Sequence, residues 1–350
     1  MRVCIAGGGI AGTLLAWRLA QRREVEHVEL LLGEDGRTDA TELSGGVVRA
    51  YERHPEGRRL ALESLGELLS SSVLRAWSRY RETGVVYLRA GDDALHGELH
   101  AIDRQLPGSA QLMDGSELAD IGWAGLPAGT VGVFERRAGY VSAAALRSAV
   151  LADLVSRTNV RVVRASASAV VVLSDGTVSA LSRGRRRSHD VAVLATGAWT
   201  PGVLSASGLR STGLRTKSIQ CATYAVRGRR PMPFADETSG LYGRPTADGQ
   251  LMLGLAGRAP TALLHTTAAR IARARMPWLQ LGRALATVNA TDCFCDPPVL
   301  ALRPVAGEPN VIWTFTGGSG RSVKTALAAS REGAEQLLNA RQLQHSTHGE

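Results

Sequence analysis

The chain has 350 residues, 44% of them hydrophobic and 21% charged, a globular composition with room for two domains or one large interleaved one. No run approaches the ~20 apolar residues of a membrane helix, and neither the eight histidines nor Cys4, Cys221, Cys293 and Cys295 show metal-ligand spacing. The net charge of +9, from 41 basic and 32 acidic residues, permits nucleic-acid binding. The excess is scattered, however, and its one dense cluster, Arg183 to Arg187, lacks the interleaved aromatic residues of a single-strand platform. An anionic cofactor or acidic substrate suits the charge better, so nucleic acid is not expected as a partner.

Met1 to Ile5 is a short apolar run suited to a buried strand. A glycine-rich turn comes next, and then Thr13 to Ala20 has helical spacing of apolar residues. In that order Gly7, Gly9 and Gly12 form a G-x-G-x-x-G turn, filled by Gly8, Ile10 and Ala11. The first glycine allows the sharp turn, the second lets a pyrophosphate touch backbone, and the third lets the helix pack close to the strand. The free N–H groups and positive end of the helix then face phosphate. With a second strand over Val28 to Leu32, these residues predict a dinucleotide site. The acid that holds the ribose should lie about twenty residues past the turn. Glu34 is the candidate, although Gly33-Glu34-Asp35-Gly36 reads equally well as a solvated acidic loop. A strand beginning at residue 2 is hard to reconcile with a cleaved leader, which points to a cytoplasmic protein.

Ser44-Gly45-Gly46-Val47-Val48-Arg49 is small and glycine-rich, then apolar, then cationic. Arg49 is either a cleft residue in need of an anion or an arginine on a solvated helix end. Leu60 to Tyr80 predicts a helix, Gly84 to Leu88 a strand, and residues 91 to 138 part of a less regular second domain. Ser142 is a candidate N-cap for a helix over Ala143 to Ser156. Val160 to Leu173 predicts one or two strands, with a hairpin at Asp175-Gly176. The Arg183 to Arg187 cluster is then a solvated loop between strands. Asp190 to Leu194 is a buried parallel strand ending in Ala195-Thr196-Gly197-Ala198-Trp199, where backbone can approach a ligand. Ile219 to Val226 predicts a strand, Gly240 to Gly254 a hairpin turning at Asp248-Gly249, and Ala268 to Ala286 a helix interrupted at Pro277. Asn310 to Thr316 is the last core strand. It leads into Gly317-Gly318-Ser319-Gly320-Arg321-Ser322-Val323-Lys324 and a helix over Thr325 to Asn339. Strand, glycine turn and helix thus recur at both ends, as if both met one cofactor.

In that order and spacing, these motifs resemble the D-amino-acid oxidase family of FAD-dependent oxidoreductases, in its glycine oxidase and sarcosine oxidase branch, from Arg2 to about Leu338. The resemblance implies an α/β chain, α+β overall. A Rossmann-like FAD-binding domain (1–85, 139–202 and 290–340) would be interleaved with an antiparallel-sheet substrate domain (86–138 and 203–289), with 341–350 as a polar tail. FAD would contact Gly7 to Gly12, Glu34, Ser44, Gly45, Thr196, Gly197, Trp199, and Gly317 to Arg321. In the sarcosine oxidase branch the C-terminal glycine turn touches the flavin ring, and the lysine closing it, here Lys324, holds the substrate carboxylate. Arg49 falls near an arginine that faces the flavin, and Tyr242 matches an active-site tyrosine. Cys293 stands at the distance of a cysteine that carries the flavin covalently. Two departures stand out: Met252 replaces a lysine that assists reaction with oxygen, and Cys295 replaces an aromatic residue.

The resemblance therefore implies an FAD-dependent oxidase or dehydrogenase that oxidises the carbon–nitrogen bond of an amino acid or N-substituted amino acid by hydride transfer to flavin N5, with Lys324, Arg49 and Tyr242 as catalytic residues, imine release, and, where molecular oxygen is the acceptor, formation of H2O2. The alternatives are an aromatic monooxygenase or halogenase, and a tRNA-modifying flavoprotein acting on a carboxymethylaminomethyl base. The first usually has Gly-Asp after the last core strand, where this chain has Gly317-Gly318.

Overall fold

The computed structural model describes residues 1–34, 39–182, 187–211, 213–257, 261–308 and 311–347. Asp35 and Gly36 of the acidic loop, Arg183 to Arg186 of the basic cluster, and Asn310 lie outside them. A six-stranded sheet runs in the order 301–304, 312–316, 191–194, 2–6, 27–31, 160–163. All neighbours are parallel except the edge strand Ala301–Pro304. Strands Val191–Leu194 and Ile312–Thr316 are buried throughout, as a parallel sheet covered on both faces requires.

Alternation along the first strand divides the interior in two. Val3 and Ile5 join a core with helices Ile10–Leu19, Pro55–Ser70, Ala143–Val155 and Ser322–Thr347. Cys4 and Ala6 face the other way, onto Val170, Val178 and Ala180 of a small antiparallel sheet. There Cys4, Glu29 and His189 place their donor atoms within 4.8 Å of one another. His189 Nε2 lies 3.1 Å from Glu29, which also faces Arg161 and Arg187. Glu29 is thus met by His189, Arg161 and Arg187.

The second sheet has eight strands, in the order 280–294, 215–227, 251–255, 241–245, 234–236, 85–90, 130–135, 110–113. It is antiparallel except where Phe234–Asp236 meets Val85–Ala90. Helix Leu264–Arg275 backs it through Ala268, Ala269 and Ala272. No helix among the described residues is long and apolar enough to cross a membrane.

Three sequence expectations need correction. The predicted helix over Ala268 to Ala286 is helix only to Arg275, and Gln280–Phe294 is a 15-residue strand paired along Arg215–Arg227. Pro277 stops the helix. Beyond it, pairing with a neighbouring strand outweighs the helix propensity of Ala284 and Ala286. The Leu60 to Tyr80 helix is two, Pro55–Ser70 and Ser72–Ser78, broken at Ser71, whose hydroxyl accepts from Leu74 N–H. The last helix does not end at Asn339 but runs through Thr347, since no glycine or proline occurs again until Gly349.

Candidate functional site

The carboxyl ends of the 2–6, 191–194 and 312–316 strands reach one edge of the parallel sheet, where small-residue turns open into a cavity of about 1570 Å³. Drug-sized ligand sites occupy ~300–1,000 Å³, so this space suits a long ligand together with a second one. Gly7, Gly8, Gly9, Ile10 and Ala11 line one end. Gly7 has φ +124°, and a Cβ there would sit 2.2 Å from the carbonyl oxygen of Ala195. A Cβ on Gly12 would sit 2.1 Å from the carbonyl oxygen of Gly7. Gly9 caps the helix with no side-chain bond, which leaves the amide end facing the cavity. Ile10 N–H donates to Thr41 Oγ1 at 3.0 Å. Sequence reasoning missed Thr41, because a cap 31 residues away has no local signature. Glu34 lines the cavity beyond the end of the second strand, as do Ser44, Gly45, Thr196, Gly197 and Trp199.

At the other end, Ser319, Gly320, Arg321 and Lys324 line the cavity. Gly317 and Gly318 sit behind them against Cys295 and Ser322. This turn is pinned to the 280–294 strand: Gly320 N–H donates to Asp292 at 2.7 Å, and Cys295 N–H to Ser319 Oγ at 3.1 Å. Asp292 and Phe294 line the cavity. Cys293, between them, is not among the lining residues: it is 1% exposed and hydrogen-bonds Thr316. The structure therefore does not bring the Cys293 thiol to the cavity.

The predicted catalytic residues Arg49, Lys324 and Tyr242 do line one cavity. Between Arg49 and Lys324 lies a residue the sequence reading passed over. Glu52 is buried, with Oε1 2.9 Å from Arg49 Nη2 and 2.5 Å from Lys324 Nζ. Arg321 Nε donates to its Oε2 at 2.8 Å. The anion that Arg49 calls for is thus inside the chain. Arg49 also stacks on Tyr87, its Cζ 4.4 Å from the ring centroid, while its Nη1 is buried without a hydrogen-bond acceptor. Three cations hold the Glu52 carboxyl far below the usual range despite its burial. Burial and Arg49 bring Lys324 down from 10.5 to about 8, against the pull of Glu52.

This shift makes stability depend on pH. Between pH ~8 and ~10.5 the unfolded chain binds a proton at Lys324 that the folded chain has lost, so this group favours folding more as pH rises through that window. The melting temperature of wild type relative to Lys324→Met is expected to rise from pH 8 to 10.5, and an unchanged or falling difference would contradict the buried lysine.

Tyr242 OH lies 3.1 Å from Cys221 Sγ, and burial pushes both groups up, so both stay protonated at neutral pH. Met252 lines the cavity near Gly45, where a Cβ would come within 2.8 Å of its Cε. Arg244 donates to the Gly45 carbonyl and lies over the Tyr140 ring, tying the second sheet to the glycine-rich segment.

Residues 2–336 match the family model described as FAD dependent oxidoreductase. Glycine oxidase from Geobacillus kaustophilus superposes with TM-score 0.74 at 18% identity, covering 96% of this chain and 95% of that one. L-Proline dehydrogenase from P. horikoshii gives TM-score 0.80 at 17% identity, with 96% and 92% covered. Iminodiacetate oxidase from Chelativorans sp. BNC1 gives 0.74 at 17%, with 97% and 95% covered. No curated protein matches the sequence significantly.

Proposed function

The chain belongs to the FAD dependent oxidoreductase family, and on that premise we propose that it oxidises the carbon–nitrogen bond of a small amine, releasing an imine that hydrolyses in water. The residues fit FAD. The glycine cradle has no space for side chains at Gly7 and Gly12, the helix end, where Gly9 supplies no side-chain cap, turns amides toward a pyrophosphate, and Arg49 Nη1 is a buried donor still lacking an acceptor. Gly7 to Ala11 would hold the pyrophosphate, Glu34 the ribose, and Ser44, Gly45, Thr196, Gly197, Trp199 and the Ser319–Arg321 turn the flavin half. When bound, FAD supplies the two-electron sink that accepts a hydride from the carbon beside nitrogen.

The chain's own part is positioning. The long second sheet roofs the cavity with Tyr242 and Met252, which exclude water and orient the amine. The protonated Tyr242 hydroxyl can donate to a polar group of the substrate. Lys324 and Arg49 fix the charge beside the reacting carbon. Molecular oxygen is the acceptor in this reading. The observation that carries the proposal is the meeting of Lys324, Arg49 and Tyr242 in the cavity that the glycine cradle opens.

The test is to mix the purified yellow protein with small primary and secondary amines without oxygen, and then admit air. Bleaching by an amine and recovery in air with peroxide is the expected result. Bleaching only by NADH or NADPH would overturn the reading in favour of a monooxygenase. We further propose that the flavin is held non-covalently, since Cys293 is buried and does not line the cavity. Acid precipitation should leave the colour in the supernatant, whereas colour on the precipitated chain would contradict this.

A further inference from the structure

Resting on the amine-oxidation reading, we propose that Glu52 is a built-in carboxylate filling the anion site of Lys324 and Arg49, so that the substrate is an amine with no carboxylate beside its nitrogen. The sequence resemblance assigned Lys324 to a substrate carboxylate. In the structure its Nζ lies 2.5 Å from Glu52 Oε1, and the same oxygen lies 2.9 Å from Arg49. A substrate carboxylate placed on Lys324 would share that nitrogen with a second, permanently ionised carboxylate in a buried site.

Glu52 cannot readily swing aside. The residues just before it are clamped, since Ala50 and Tyr51 N–H donate to the buried Glu135 carboxylate at 2.7 and 2.9 Å. Arg58 donates to the Glu52 carbonyl at 3.0 Å, and Arg321 holds the second carboxylate oxygen. Release of Glu52 would strand a charge in a site where it is 3% exposed. Other cavity arginines are also engaged: Arg53 pairs with Glu237, and Arg147 with Asp39 and Glu42. Lys217, also in the lining, lies over the Phe294 ring, and beside Glu52 the buried donor without an acceptor is Arg49 Nη1. Arg49 Nη2 already faces Glu52, so a neutral acceptor such as a carbonyl oxygen is enough for Nη1.

The test uses the FAD-loaded enzyme and matched pairs of amines: pyrrolidine against L- and D-proline, and N-methylethylamine against N-methylalanine. In wild type the carboxylate-free member should reduce the flavin at least tenfold faster at equal concentration. A second readout needs no turnover: acetate titrated into wild type should leave the flavin absorbance unchanged. In Glu52→Ala, acetate should perturb the flavin saturably and raise the melting temperature as it occupies the space left by the side chain. Faster reduction by the carboxylated members, or a saturable acetate effect in wild type, would overturn the proposal even if the variant failed to fold. If no amine of either kind reduces the flavin, the amine reading fails, and the acetate titration still decides the role of Glu52.

Discussion

Gly12→Val should yield a folded protein that purifies without FAD and takes up none when it is added. The added Cβ would stand 2.1 Å from the Gly7 carbonyl oxygen and 3.0 Å from the Ala195 Cβ. Neither is the end of a flexible side chain, so the helix must move away from the first strand. Overpacking of this kind costs about 1–3 kcal/mol, which a domain of this size survives. The cradle does not survive, because the same shift withdraws the helix N–H groups from the pyrophosphate. Gly97→Ala is the control. Gly97 is exposed within helix Ala94–Gln105 with open space around it, and the change should keep the flavin and add up to about 1 kcal/mol of stability. Flavin content per chain, with circular dichroism as the check on folding, decides the matter. Stoichiometric FAD in Gly12→Val would place the nucleotide elsewhere.

Lys324→Met should keep the flavin but lower kcat/KM for amines about tenfold or more, because Lys324 sets the position and charge of Glu52 at the reacting end of the cavity. Methionine preserves most of the length of the side chain and removes only the cation. Glu52 then retains Arg49 and Arg321, so the fold should hold. The carboxylate loses its contact with the residue that closes the C-terminal glycine turn. A purely structural lysine would change the melting temperature alone. The kinetic role also predicts that an inflection of the wild-type pH profile near pH 8, where Lys324 titrates, disappears in the variant. Unchanged kinetics with a retained inflection would remove Lys324 from the reaction.

The parts of this site written in contiguous residues could be read from the sequence. Gly7, Gly9 and Gly12 between an apolar strand and a helix announce a cradle, because backbone space and φ are properties of those residues themselves. The Gly317 to Lys324 turn was legible for the same reason. Glu52 was not. Arg49 signalled a need for an anion, and a glutamate three residues on was in plain view, but only the fold brings Lys324 to the same oxygen. The resemblance suggested Cys293 as a flavin-carrying residue, and the structure lines the cavity with Thr291, Asp292 and Phe294 instead. The 280–294 strand stayed hidden because its alanines, arginine and asparagine carry little strand preference. Its structure comes from its partner at 215–227.

The most direct measurement is the FAD content of the purified protein, read from the visible spectrum before and after denaturation. One FAD per chain, released into solution when the fold is lost, is the expected result. A colourless protein that takes up no added FAD would contradict the account at its base.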